Sequence, residues 1–130
     1  DEGKAVPTLP DQYRADITLM AGDVTGGGPV VAFLSANTLD APFSLIGTYA
    51  SVSAAKSAFD NLKSVGSQTW IDLAAPLAAN QVWVFEARDA TYAKLRIISV
   101  TLDTSGDDPV ATCTLEWVWQ PDGSPTFPAK

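Results

Sequence analysis

The sequence predicts a mainly β fold, an antiparallel β-sandwich or sheet with one short helix packed against it. Runs of alternating apolar and polar residues recur along the chain, and clusters of glycine, proline and aspartate separate them. A single segment has the apolar spacing of an amphipathic helix. The 130 residues, 46% of them hydrophobic, suffice for one self-supporting core. We assign residues 1–12, which hold two prolines and no periodic pattern, to a leader or tether, and residues 13–130 to one β-rich domain.

The N-terminal part of this domain begins with two predicted strands. The run "YRADITLMAG" starts at Tyr13 and alternates, so that Ala15, Ile17 and Leu19 share one face. The "TGGGP" stretch ends this strand, and we interpret its Gly26–Gly28 cluster as a flexible turn or insertion. This cluster lacks the Gly-Lys-Ser/Thr ending that grips a nucleotide phosphate. The apolar run "VVAFLSA" that follows predicts a strand that is buried on both faces or paired centrally.

The segment "SAAKSAFDNLKSVG" predicts the helix of the domain. Ser53 stands where an N-cap would accept a hydrogen bond from a backbone amide of the first turn, and Gly66 stands where a left-handed C-cap belongs. Four apolar residues fall on one face of the helix: Ala55, Phe59, Leu62 and Val65. We expect this face to pack against a sheet.

The C-terminal part predicts three consecutive strands. "QVWVFEAR" and "TYAKLRIISVTL" form a hairpin, and "VATCTLEWVWQ" adds a third strand after the polar turn "TSGDDP". In the third strand Trp117 and Trp119 share one face with Cys113 and Leu115. We expect Trp117, in the middle of this strand, to be part of the core. Trp119 is expected to be partly exposed, because the turn "QPDG" follows it.

Composition and charge exclude several classes of protein. The net charge is −7 and the eight basic residues are scattered, so we expect no nucleic-acid partner. No apolar run approaches the ~20 residues of a membrane-spanning helix. The chain has no histidine and one cysteine, which excludes an internal disulfide and a His/Cys metal cluster. We therefore expect no metal site and no cofactor.

The carboxylates of the C-terminal part do not predict a catalytic site. Glu86 and Glu116 lie on the polar faces of different strands, and two carboxylates at a defined separation are what a glycoside hydrolase requires. Basic residues nearby make cross-strand ion pairs the simpler interpretation: Arg88, Lys94 and Arg96. Asp103, Asp107 and Asp108 lack the spacing of an EF-hand loop and predict a solvated turn. The sequence therefore predicts no catalytic residue and no enzyme.

A candidate ligand-binding site lies where the third strand ends. Trp119 precedes Gln120 and the Pro-Asp-Gly turn that contains Asp122. A strand that opens into a turn leaves one face of an aromatic ring accessible, and amide and carboxylate groups beside it can fix a ligand's orientation. Trp119, Gln120 and Asp122 are therefore the predicted ligand-binding residues.

A resemblance to a known family covers Gln81 to Phe127. "VWVFEARDATYAKLRIISVTLD" followed by "CTLEWVWQPDGSPTF" resembles the C-terminal part of the HmuY-like lipoproteins of Bacteroidetes and related bacteria. In that family a strand leads through an Asp-Gly turn to Tyr-Ala-Lys and a further apolar strand, then to an aromatic strand that ends in a Gln-Pro-Asp-Gly-like turn. Ala90 stands where the family's turn favours glycine.

The resemblance implies a β-rich sandwich at the bacterial surface and, for the best-known members, capture of haem by a pair of histidines. This chain has no histidine, so we expect no haem binding.

Two functions from different classes follow from these observations. The first is a noncatalytic exported or cell-surface β domain that binds a ligand or protein partner. The alternative is a structural subunit of an extracellular fibre or surface layer, which assembles when sheet edges of neighbouring copies pair. The sequence starts at Asp1, which we interpret as a processed or trimmed chain, and we expect an extracellular or cell-surface location.

Overall fold

The computed structural model describes residues 16–36 and 39–128, and over these residues the protein is mainly β, as predicted. The elements, in chain order, are β1 (Thr18–Gly22), β2 (Val31–Ser35), β3 (Phe43–Thr48), α1 (Val52–Asn61), β4 (Leu73–Ala74), β5 (Gln81–Glu86), β6 (Tyr92–Asp103) and β7 (Val110–Gln120). The predicted leader, residues 1–12, and the predicted inward position of Ala15 lie outside the described residues.

The strands form two antiparallel sheets that enclose the main core. The order is β1-β2-β4 in the smaller sheet and β3-β5-β6-β7 in the larger one. The main core is built from buried apolar side chains of both sheets and the segments between them: Ala32, Leu34, Ala36, Phe43, Ala74, Leu77, Trp83, Phe85, Ala93, Leu95 and Ile97. The predicted antiparallel sandwich is therefore confirmed.

The β1-β2 hairpin follows the sequence pattern closely. Ile17 and Leu19 pack against the main core, as the alternation predicts. β2 lies between β1 and β4, and its three central residues, Ala32, Phe33 and Leu34, are all buried. The prediction of a strand that is buried on both faces or paired centrally is confirmed, because β2 has a paired strand on each side.

The helix exists, but both predicted caps are wrong. The N-cap is Ser51, whose hydroxyl oxygen accepts a 3.1 Å hydrogen bond from the amide of Ala54, whereas Ser53 lies inside the helix. The helix ends at Asn61, and Gly66, although its φ is +65°, lies in the loop beyond. The sequence offers two serines in one turn, and the earlier one caps the helix in the structure.

A buried lysine explains where the helix ends. The ammonium group of Lys94 in β6 donates hydrogen bonds to the carbonyl oxygens of Phe59, at 2.7 Å, and Leu62, at 3.0 Å. These bonds add a donor at the end of the helix, where carbonyl groups lack regular intrahelical partners; the Phe59 carbonyl oxygen also accepts a 3.3 Å bond from the amide of Leu62. Only 2% of Lys94 is exposed, because α1 covers that face of the sheet.

A third layer covers the outer face of the larger sheet. Phe59 of α1 is fully buried, which confirms that the apolar face of the helix packs on a sheet. Val65 and Phe127 form a second cluster with Val84 on this outer face, and Ile46, Leu62, Trp70 and Tyr92 pack around it. β5 therefore lies between two apolar layers, which explains why its first five residues are all buried.

In the described part of the chain, no helix has both the length and the apolar composition that crossing a membrane requires.

Candidate functional site

The three residues predicted to bind a ligand each have a polar partner within the protein. The indole N–H of Trp119 donates to the hydroxyl of Thr91 at 3.1 Å, and the ring packs against the main core. The amide of Gln120 donates to the carbonyl oxygen of Thr126. A carboxylate oxygen of Asp122 accepts a 2.7 Å hydrogen bond from the amide of Ser124. These contacts tie the end of β7 to the turns around it.

The fold does not gather these three side chains on one surface. Trp119 and Gln120 are consecutive in β7, so their side chains point to opposite faces of the sheet. Asp122 lies in the turn that follows. Binding of a ligand by Trp119, Gln120 and Asp122 stays a prediction.

Trp117 is the exposed tryptophan of β7, and its predicted burial is wrong. It lies opposite Leu95 in the β6–β7 ladder, so it faces the inner side of the sheet as the alternation predicts. Nevertheless 46% of the residue is exposed, whereas Trp119 is partly buried. β7 lies at the end of the sheet, where β6 flanks it on one side only, so a side chain on its inner face can reach solvent past the sheet edge, as Trp117 does. Alternation fixes the face of a residue but not the distance of its strand from the sheet edge.

β7 is a long edge strand whose sequence lacks the residues that usually protect an edge against pairing. It has eleven residues, and within residues 16–36 and 39–128 no strand pairs with the side that faces away from β6. Its sequence, "VATCTLEWVWQ", contains no lysine, arginine, proline or glycine and a single charged residue, Glu116. Natural sheets block their edges with such residues, with bulges, or with very short strands. We call this outward side of Val110–Gln120 the β7 edge.

The charge of Glu116 is compensated within the protein. Its carboxylate lies 3.0 Å from Nη2 of Arg96 and 3.9 Å from Nζ of Lys56, which also binds Asp60 at 2.6 Å. The Arg96 side chain is only 8% exposed. The interpretation of Glu116 as a cross-strand ion-pair partner is confirmed. The charge is thus held on the outer face of the sheet by an oppositely charged neighbour.

The other sheet edges are shorter or covered. β4 has two residues and β1 has five. In β3 the register with β5 shifts between Leu45 and Gly47. The outer backbone of β3 is also occupied where Phe43 and Ile71 exchange two hydrogen bonds of 3.1 and 2.8 Å. Among residues 16–36 and 39–128, the β7 edge is therefore the longest strand edge without a paired neighbour.

Glu86 and Glu116 do not form the carboxylate pair of a glycoside hydrolase. Glu86 lies opposite Tyr92, and Glu116 lies opposite Arg96, so two strand spacings and four residues separate the two glutamates. Standard sheet dimensions convert this offset to roughly 17 Å between their Cα atoms. Paired carboxylates in these hydrolases lie about 5–9.5 Å apart.

The glycine cluster of the β1-β2 turn encloses an aspartate. The carboxylate of Asp23 accepts hydrogen bonds from the amides of Thr25, at 2.8 Å, Gly26, at 3.2 Å, and Gly28, at 2.9 Å, and from the amide of Gly27. The backbone bond from Thr25, together with the bond from its hydroxyl, lowers the pKa of Asp23 to about 2. Gly26 and Gly27 have φ of +78° and +148°, which only glycine adopts readily. The glycine cluster thus closes the β1-β2 turn around the carboxylate of Asp23.

The remaining acidic turn is also organised locally. Asp103 accepts hydrogen bonds from the hydroxyl of Ser105, at 2.6 Å, and from its amide, at 2.9 Å, and the hydroxyl bond lowers the pKa of Asp103. Among the residues that the structure describes, no group of three or more histidine, cysteine or acidic side chains is placed to hold a metal ion. Cys113, on the inner face of β7, is half-buried, and this burial raises the pKa of its thiol.

Comparison with protein-family models, with curated proteins and with solved structures finds no match for this chain. The resemblance of residues 81–127 to the HmuY-like lipoproteins stays a prediction.

Sequence reasoning missed the exposure of Trp117 and the unpaired β7 edge. β7 carries no local sign of its edge position, because its eleven residues contain none of the lysine or proline residues that commonly mark an edge strand. The missing information was the strand order, which places β7 last in the sheet.

Proposed function

We propose that this chain is a noncatalytic exported or cell-surface β domain that binds a protein partner through the β7 edge. The observation that carries the proposal is the exposure of Trp117 on an eleven-residue edge strand whose single charge is already paired. An extended partner segment that adds to such an edge gains main-chain hydrogen bonds and contacts with alternate side chains.

The chemistry of the edge favours a protein over a small ligand. Tryptophan is among the residues that contribute most to protein interfaces, because its large ring loses water on binding at little conformational cost. Val110, at the other end of β7, is 59% exposed and offers a second apolar contact. The distance between the two ends of an eleven-residue strand, about 34 Å at ~3.4 Å per residue, exceeds the length of most small ligands.

The proposed location is supported by the resemblance to the HmuY-like lipoproteins, which are surface proteins. Haem capture is not part of the proposal, because the paired histidine ligands of that family are missing from the sequence.

Site-specific photocrosslinking tests the proposal. A benzophenone amino acid replaces Trp117 in one variant and Val52, an exposed residue of α1, in the control variant. Both variants are irradiated in envelope and secreted fractions of the cells that produce the chain. We expect one adduct of defined mass from position 117, competed by excess parent chain, and none from position 52.

The partner identified in that adduct is then purified and titrated. We expect Trp117→Ala to weaken its binding at least tenfold and Val52→Ala to leave it unchanged. Equal crosslinking from both positions, no adduct from position 117, or binding that survives Trp117→Ala contradicts the proposal.

A further inference from the structure

We infer that the partner strand at the β7 edge is β7 of a second copy of this chain, paired antiparallel. This inference rests on the proposed function and identifies the partner as the chain itself. Pairing of this kind joins two four-stranded sheets into one continuous sheet of eight strands. The interface is isologous, since each copy contributes the same strand.

The sizes of the side chains on the inner face of β7 favour pairing with itself. The first half of the strand carries small residues on this face, Ala111 and Cys113, and the second half carries large ones, Trp117 and Trp119. Antiparallel pairing reverses one copy relative to the other, so the small half of each strand meets the large half of its partner. A strand with this size gradient is complementary in shape to its own reversed copy.

A twofold axis at Leu115, the middle residue of β7, uses the whole strand. In this register all eleven residues are paired, Cys113 lies opposite Trp117, and Ala111 lies opposite Trp119. Residues that lie opposite each other are then both odd-numbered or both even-numbered, so the inner faces of the two sheets stay on the same side. The small side chain of Cys113 leaves room for the Trp117 ring, which pairing removes from solvent.

Charge is compatible with the same register. Glu116 falls opposite Thr114 of the other copy, and its carboxylate remains bound to Arg96 of its own chain. An axis at Glu116 would place two carboxylates opposite each other, which is destabilising in a sheet. Each chain carries a net charge of −7, so we expect the dimer to become more stable as the salt concentration rises.

Charge variants at Thr114 test whether the β7 edge is the dimer interface and whether the pairing register is centred on Leu115. Thr114 is exposed on the outer face of β7, opposite Ser99 of β6, so substitutions there leave the core intact. Thr114→Glu places a carboxylate opposite Glu116 of the other copy at two symmetry-related positions, whereas Thr114→Lys places an ammonium there. Thr48→Glu is the matched control, because it makes the same change on β3, at the opposite edge of the same sheet.

The measurement is sedimentation equilibrium at chain concentrations from about 1 μM to about 1 mM. A second readout, which needs no variant, is the protection of amide hydrogens from exchange with solvent as the chain concentration rises. We expect the parent chain to show a monomer–dimer equilibrium and β7 amides, but not β3 amides, to gain protection with concentration. Thr114→Glu should weaken the dimer about tenfold, Thr114→Lys should not weaken it, and Thr48→Glu should match the parent.

Three results overturn the inference: a monomer over the whole range, a dimer that Thr114→Glu does not weaken, or one that Thr48→Glu weakens equally. A monomeric parent whose residue 117 still crosslinks to a different protein overturns the self-pairing alone and leaves the proposed function standing. If the chain dimerises through another surface and position 117 gives no crosslink, both the self-pairing and the proposed function are overturned.

Discussion

The ammonium group of Lys94 lies 4.7 Å from the centre of the Phe59 ring and donates a 2.7 Å hydrogen bond to the carbonyl oxygen of the same residue. It also binds the Leu62 carbonyl oxygen and lies 5.5 Å from the ring of Phe127. One buried cation thus connects β6, the end of α1 and the C-terminal segment. Its position suits its charge, because the C-terminus of a helix carries partial negative charge.

Replacement of Lys94 by methionine should destabilise the fold by about 2–4 kcal/mol, because the Leu62 carbonyl oxygen loses the Lys94 donor and the Phe59 carbonyl oxygen is left with the 3.3 Å bond from the amide of Leu62. Chemical denaturation measures the effect. Lys63→Met is the control, since Lys63 also donates to a helix carbonyl, that of Asp60, but on the exposed surface. We expect that control to cost under about 0.5 kcal/mol. Equal losses of unfolding free energy in the two variants would show that the buried Lys94 contacts stabilise the fold no more than the exposed Lys63 contact does.

The two tryptophans of β7 should differ in their contribution to stability. Trp119→Ala should cost about 2–4 kcal/mol, because the ring packs against the main core and its N–H binds Thr91. Trp117→Ala should cost about 1 kcal/mol, because nearly half of the residue is in solvent. Iodide should quench the fluorescence of the parent chain more than that of the Trp117→Ala variant. The opposite ranking of the two costs is incompatible with the packing of Trp119 against the main core and the exposure of Trp117.

The turn between β5 and β6 holds an alanine in a left-handed conformation. Ala90 has φ of +58°, which costs an alanine about 1–2 kcal/mol relative to a residue without Cβ. Ala90→Gly should therefore raise the free energy of unfolding by about 0.5–1 kcal/mol after the larger entropy of the unfolded glycine is subtracted. Ala79→Gly, at an exposed position without positive φ, should lower it instead. A denaturation midpoint that falls in both variants refutes the prediction.

The turn around Asp23 should make stability depend on acid. The folded pKa of Asp23, about 2, lies below its ordinary value of 3.8, so the unfolded chain binds the proton more tightly. The contribution of this group is present above pH ~4 and is lost as the pH falls toward ~2. We expect an NMR titration to give a carboxyl pKa near 2. Asp23→Asn should remove this part of the pH dependence of unfolding, and an unchanged acid profile would argue against the turn.

The elements of the fold were predictable where the signal is local. A continuous apolar run located β2. Alternation located β1 and the strands from β5 to β7, because an apolar face repeats every second residue. It also placed Trp117 on the correct face. The burial of Lys94 was not predictable, since it depends on where α1 crosses the sheet, and a lysine in an alternating strand ordinarily points to solvent.

In the candidate site, too, local features were predictable from the sequence, whereas features that depend on the assembled sheet were not. The turn after β7 was predictable from Pro-Asp-Gly, and an aspartate in such a turn commonly accepts a backbone hydrogen bond, as Asp122 does from Ser124. The exposure of Trp117 was not predictable, because no residue in β7 indicates that the strand pairs with a neighbour on one side only. Only the assembled strand order carries that information.

The central claim is that β7 pairs antiparallel with β7 of a second copy. The most direct test is an NMR experiment on a mixture of labelled and unlabelled chains, which detects magnetisation transfer between copies only. The register centred on Leu115 predicts a cross-copy signal between the Cβ hydrogens of Cys113 and the indole hydrogens of Trp117, and none between β3 strands. Cross-copy signals confined to other surfaces, or none at a concentration near 1 mM, would contradict the claim.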